Sequence, residues 1–123
     1  MLLILSPILL LLLGANNLTG TIPSEVSSLK SLRELAFFDN NLYGTIPDSL
    51  GYITNLDLLQ LGVNYLTGPI PDSLSRLQKL EYVHLGYNEL TGTIPPRHCH
   101  DPNLGILNFG TQFLDGDNPN VSF

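Results

Sequence analysis

Apolar positions recur along this chain on a fixed beat, and within each beat their spacing changes from three to two. Val26, Leu29, Leu32, Leu35 and Phe37 are answered 24 residues on by Leu50, Ile53, Leu56, Leu59 and Leu61. Another 24 residues bring Leu74, Leu77, Leu80, Val83 and Leu85. A spacing of two is that of a strand with alternate side chains turned inward, whereas three suits a tight helical or turn-like path. The change of spacing rules out one long helix. Each beat therefore predicts a strand and a returning turn, one coil of a solenoid that buries its ladder against its neighbours.

Between the ladders the phrase Asn-x-Leu-x-Gly-x-Ile-Pro occurs four times, at 16–23, 40–47, 64–71 and 88–95. Asn16, Asn40, Asn64 and Asn88 follow the strands, where a buried amide can satisfy backbone groups on adjacent coils and form an Asn ladder. Gly20, Gly44, Gly68 and Gly92 allow backbone angles or close approach that a side chain would obstruct, and the Pro pins the next bend. Ser24-Glu25, Asp48-Ser49 and Asp72-Ser73 come next, short polar residues expected to accept backbone N–H groups at the start of a convex helical turn.

These residues resemble the leucine-rich-repeat family, and the Leu-x-Gly-x-Ile-Pro half is similar to its plant-type subclass of 24-residue repeats. The resemblance is close over 16–95 and weaker to 119. It implies an α/β fold: a right-handed solenoid with a parallel concave sheet, short helical or 3-10 turns on the convex side, and a second short sheet along the Thr-Gly-x-Ile-Pro edge. It also implies recognition of proteins or peptides, as in the extracellular arrays of receptor-like kinases and receptor-like proteins. A partner repeat chain or co-receptor belongs to that expectation.

The flanks depart from the pattern. Residues 1–13 are apolar apart from Ser6 and Pro7. A signal-like segment over 1–15 is slightly favoured over a degenerate first repeat, although no Lys or Arg precedes the run and Leu13 is large for a cleavage site. As a repeat, Leu2, Leu5, Ile8, Leu11 and Leu13 would fall on the ladder and Leu9, Leu10 and Leu12 on the open face, an apolar patch. Membrane association through 1–13 is compatible with either reading, but as helix the stretch spans only about 20 Å. Beyond Pro95 the ladder degrades and then recovers at Leu104, Leu107 and Phe109, so 96–119 reads as a terminal, capping-like coil and 120–123 as a tail.

At 123 residues the chain is one domain. Its net charge of −6, with five scattered basic residues, argues against nucleic acid as a partner. Cys99 is single and excludes an internal disulfide. His98-Cys99-His100-Asp101 gathers metal-ligand types, yet adjacent residues do not readily converge on one ion, and no metal or other cofactor is expected. No nucleophile is identifiable near His84, so an enzyme is not expected either. Asn17-Leu18-Thr19 and Asn120-Val121-Ser122 match the N-glycosylation acceptor pattern at Asn17 and Asn120, which accords with a secreted or cell-surface chain.

If ladder residues point inward, the positions between them form one concave face. Its candidate ligand-binding residues are Phe38, Asp39, Asp57, Leu58, Gln60, Glu81, Tyr82, His84, Tyr87, Ile106 and Asn108, an aromatic and aliphatic patch with an acidic rim. The rival surface is the Thr/Gly edge, where Thr19, Thr67 and Thr91 and Thr21, Thr45 and Thr93 recur regularly enough to suggest adsorption to polysaccharide or ice.

Overall fold

A computed structural model of the chain describes residues 8–95 and the backbone of 106–108. In chain order its strands are β1 (Leu10–Leu12), β2 (Thr19–Gly20), β3 (Glu34–Ala36), β4 (Asn41–Thr45), β5 (Leu58–Gln60), β6 (Tyr65–Pro69), β7 (Tyr82–His84), β8 (Glu89–Thr91) and β9 (Ile106–Asn108). The odd-numbered strands form a five-stranded parallel sheet in the order β1-β3-β5-β7-β9, and the even-numbered ones a four-stranded parallel sheet. This is the solenoid of strand and returning turn that the change of spacing predicts, with the second short sheet that the resemblance implies.

The returning segments are 3-10 turns at Ser24–Ser28, Asp48–Tyr52 and Asp72–Arg76, and the described residues contain no α-helix. A ladder spaced by three explains the choice. Three residues per turn stack positions i and i+3 on one line, so Leu50 and Ile53 both reach the core. The expected side-chain caps do not form: each turn begins at Pro23, Pro47 or Pro71 with no side-chain cap bond. The extended proline backbone already sets the entry angle. Some of the hydroxyls tie neighbouring coils together instead, Ser49 Oγ donating to the Ser24 carbonyl at 3.2 Å and Ser73 Oγ to that of Asp48 at 2.6 Å.

Inside, Leu32, Leu35, Leu50, Ile53, Leu56, Leu59, Leu61, Leu66 and Leu85 are wholly buried in one continuous cluster. The two sheets differ in register. On the concave side residues 24 apart are paired, Leu35 with Leu59 and Leu59 with Val83. On the lateral side the offset is 22, so Thr45 pairs with Thr67 and Thr67 with Glu89.

Residues 8–15 take the path of a coil. Leu10, Leu11 and Leu12 pair with Glu34, Leu35 and Ala36, and Leu13 N–H donates to the Ala36 carbonyl at 2.8 Å. Ile8, Leu9, Leu10, Leu12 and Leu13 are exposed. For Ile8 and Leu13, ladder positions expected to face inward, this is a departure: in the interior coils their equivalents, Leu32 and Leu56 for the first and Phe37 and Leu61 for the second, are buried.

Candidate functional site

The concave face is built from strands in strict column register, so the side chain at each outward position stands beside its counterpart on the next coil. Glu34, Leu58, Tyr82 and Ile106 pair in one row, and Ala36, Gln60, His84 and Asn108 in the next. Leu58, Gln60, Tyr82 and His84 are half-buried and present one flank to solvent. Ala36 stands in the outward row but is buried, its methyl group too short to rise above the longer Leu12 and Gln60 beside it in register. For Ile106 and Asn108 the backbone alone is described.

Two side chains lean back over glycines. A methyl group on Gly14 would lie 2.4 Å from Cε1 of Phe38, and one on Gly62 would lie 2.4 Å from Cε1 of His84, so both rings occupy space that only glycine leaves open. Packing over Gly62 leaves His84 Nε2 buried without a hydrogen-bond partner. Burial also holds the imidazole pKa below its ordinary 6.5, because the charged form would be poorly solvated there.

At the ends of the strands the backbone turns left-handed at Asp39, Val63 and Tyr87, with φ of 55°, 57° and 58°. Such angles are unfavourable for these residue types, for Val63 above all. Hydrogen bonds hold the corner: Asp39 N–H donates to the Gly62 carbonyl at 3.0 Å, and Val63 N–H to that of Gly86 at 2.9 Å. The consequence is a row of side chains projecting at the rim, Tyr87 the most exposed at 73%.

Along the opposite rim Arg33 donates from Nε and Nη2 to Asp57 Oδ2, at 3.0 and 2.6 Å, and Lys79 Nζ donates to Asn55 Oδ1 at 2.9 Å. These side chains, with Leu9 and Glu81, line a shallow groove of about 490 Å³.

The asparagines fix the corner between the two sheets. Asn64 Nδ2 donates to the carbonyls of Phe37, Leu61 and Gly62 at 2.9, 3.1 and 3.3 Å, while its Oδ1 accepts from Leu42 N–H at 3.0 Å. Asn40 bonds the carbonyls of Leu13, Phe37 and Phe38 and accepts from the N–H groups of Asn16 and Leu18. Asn88 reaches Leu61, Leu85 and Gly86 in the same way and accepts from Leu66 N–H. Asn16 is exposed, and its amide reaches only the Gly14 carbonyl in its own coil.

Sequence reasoning missed two aromatic features outside the concave face. Tyr43 and Tyr65 are exposed and pair directly in the lateral sheet. Their positions differ by 22, so columns of 24 do not bring them together. On the convex side Tyr52 lies between Lys30 and Arg76, whose charged groups sit 5.5 and 5.2 Å from its ring centroid.

A family model described as Leucine Rich Repeat matches residues 31–53 and 79–100. Among solved structures, the ectodomain of the Arabidopsis receptor kinase HAESA in complex with an IDA peptide hormone is 34% identical, with a TM-score of 0.73, and the match covers 85% of this chain and 18% of that one. The chain belongs to the plant-type leucine-rich-repeat proteins. A chain of the Arabidopsis thaliana BIR3–SERK2 complex is 35% identical to this leucine-rich-repeat chain, with a TM-score of 0.69, over 78% of this chain and 51% of that one. A plant ice-binding protein is 36% identical, with a TM-score of 0.71, over 75% and 30%. The chain spans from 10% to 51% of the length of the first solved structures it matches. No curated protein sequence matches it significantly.

Among the described residues of this leucine-rich-repeat chain, no three His, Cys, Asp or Glu side chains gather as metal ligands, and no helix is long and apolar enough to cross a membrane. The cluster from His98 to Asp101, Cys99 included, lies outside the described residues. So does Asn120. Asn17 is exposed, on a left-handed turn with φ 53°.

Proposed function

We propose that the chain is a non-catalytic recognition module at the outside of a cell, binding a protein or peptide across the concave face. One observation carries the reading. The concave columns align coil on coil while the residues within them change, from Glu34 to Leu58 to Tyr82, so the surface is individual at each coil. Leu58, Tyr82 and Tyr87 supply the apolar and aromatic contacts that dominate binding energy, and Asp39, Asp57 and Glu81 supply a polar rim. Similarity to a receptor-kinase ectodomain solved with a peptide hormone, and to a chain of the BIR3–SERK2 complex, supports a peptide or a second protein chain such as a co-receptor as the partner. The test is selection of displayed random peptides on the full chain, followed by binding to the Tyr82→Ala/Tyr87→Ala variant. Selected peptides should lose that binding while the circular dichroism spectrum is unchanged. Undiminished affinity would move the site off the concave face.

A second reading, adsorption to ice or polysaccharide through the Thr edge, is favoured by the ice-binding neighbour. The lateral register weakens it. With pairing offset by 22, Thr19 pairs with Asn41 and Thr67 with Glu89, so threonines face each other only at Thr45 and Thr67 among the described pairs. Thr45→Ala/Thr67→Ala should leave ice recrystallisation and adsorption to cellulose unchanged, and a loss of either would revive the lateral edge as the site.

A further inference from the structure

Charge on the concave face is one-sided. Its outward positions carry four carboxylates, Glu34, Asp39, Asp57 and Glu81, against one guanidinium, Arg33. That guanidinium is already committed to Asp57. Lys79, at the groove edge, is held by Asn55. Asp39 and Glu81 are exposed and Glu34 is half-buried, and none of the three has a cationic partner among the described residues. Leu58 lies on the coil between Glu34 and Glu81 and pairs in register with both Glu34 and Tyr82.

We infer that the occupant of this face is a cationic peptide that places two basic side chains on Glu34 and Glu81 and an apolar one on Leu58. The inference rests on the concave face being the binding surface. Spacing narrows it further. Two coils and one residue of register separate Glu34 from Glu81, about 10 Å at the usual strand separation and rise. A polyproline-type chain advances about 9.3 Å in three residues and returns the third side chain to the same side, so the basic residues stand three apart. Opposite charge across the strands would speed encounter and fix orientation, while Leu58 and the flank of Tyr82 supply the buried contact.

The probe is the capped peptide acetyl-Gly-Arg-Pro-Leu-Arg-Pro-Gly-amide, titrated into the full chain. Its counterparts carry Glu in place of both Arg, or the two Arg side by side. The Arg-spaced peptide should bind, weaken roughly tenfold in Glu34→Gln/Glu81→Gln, and weaken as salt rises from about 50 to about 500 mM. The convex control Glu25→Gln/Asp72→Asn should change affinity less than about twofold. Equal binding of the Glu peptide, an equal loss in the convex control, or no binding of the Arg-spaced peptide would overturn the inference. Equal binding of the side-by-side peptide would overturn the spacing. The display selection separates the two levels: enriched peptides that depend on Tyr82 and Tyr87 but lack basic residues overturn the charge inference alone, whereas indifference to those tyrosines overturns the concave face itself.

Discussion

The concave and lateral sheets are made by the same repeat, yet they treat its period differently. Concave strands pair at the full 24 residues, so Glu34, Leu58 and Tyr82, which occupy one column of the sequence, also stand in one row of the sheet. Lateral strands pair at 22, so the recurrent threonines slide past one another and meet Asn41 or Glu89 instead. The edge that repeats most regularly in sequence is the less regular surface. The face whose residues vary from coil to coil is the one on which they align, and an aligned but varied surface is what selective binding requires.

The sharpest break in that comparison is the corner joining the two sheets. Asn64→Ala would leave the lateral Leu42 N–H without its acceptor and take one of two donors from each of the Phe37, Leu61 and Gly62 carbonyls, and should cost about 2 kcal/mol in urea unfolding. Asn16→Ala, at the exposed first coil, should cost under about 1 kcal/mol. Next in size is binding. Tyr82→Ala/Tyr87→Ala should weaken selected peptides by about 2 kcal/mol or more, and Tyr43→Ala/Tyr65→Ala on the lateral sheet should leave calorimetric affinities unchanged.

A smaller effect concerns pH. The His84 pKa is lowered in the folded chain by burial, so the folded state binds fewer protons than the unfolded state near and below 6.5. The stability this provides is complete above 6.5 and is lost as pH falls through the lowered folded value. Gly62→Ala displaces the imidazole toward solvent, so an NMR titration should find the pKa closer to its ordinary value, and the midpoint difference between about pH 5 and about pH 8 should shrink. Smallest is Thr45→Ala/Thr67→Ala, expected to alter thermal stability by less than about 0.5 kcal/mol because both residues lie on the open lateral face.

Much of this architecture is legible in the sequence because it depends on period. The switch from three to two places Leu50 on a 3-10 turn, Ile53 just past its end and Leu59 on a strand, and the 24-residue columns predict concave neighbours such as Glu34 and Leu58. What period does not encode is offset. Nothing in the column of Thr19, Tyr43, Thr67 and Thr91 announces that the lateral strands slip by two, so the Tyr43–Tyr65 pair appears only in three dimensions. Local chemistry misleads in a different way. Asp48 and Asp72 look like helix caps, but the preceding prolines fix the entry, and the hydroxyls of Ser49 and Ser73 bond across coils. His84 over Gly62 was hidden because each residue is unremarkable in its own column.

The five tyrosines of the chain divide among three faces: Tyr82 and Tyr87 on the concave side, Tyr43 and Tyr65 on the lateral sheet, and Tyr52 on the convex turn. Hydroxyl-radical footprinting of the full chain, with and without a selected peptide, therefore reads all three surfaces in one measurement. A concave recognition face predicts protection of Tyr82 and Tyr87 with Tyr43, Tyr65 and Tyr52 unchanged. Protection of Tyr43 and Tyr65 with Tyr82 and Tyr87 left reactive would contradict it.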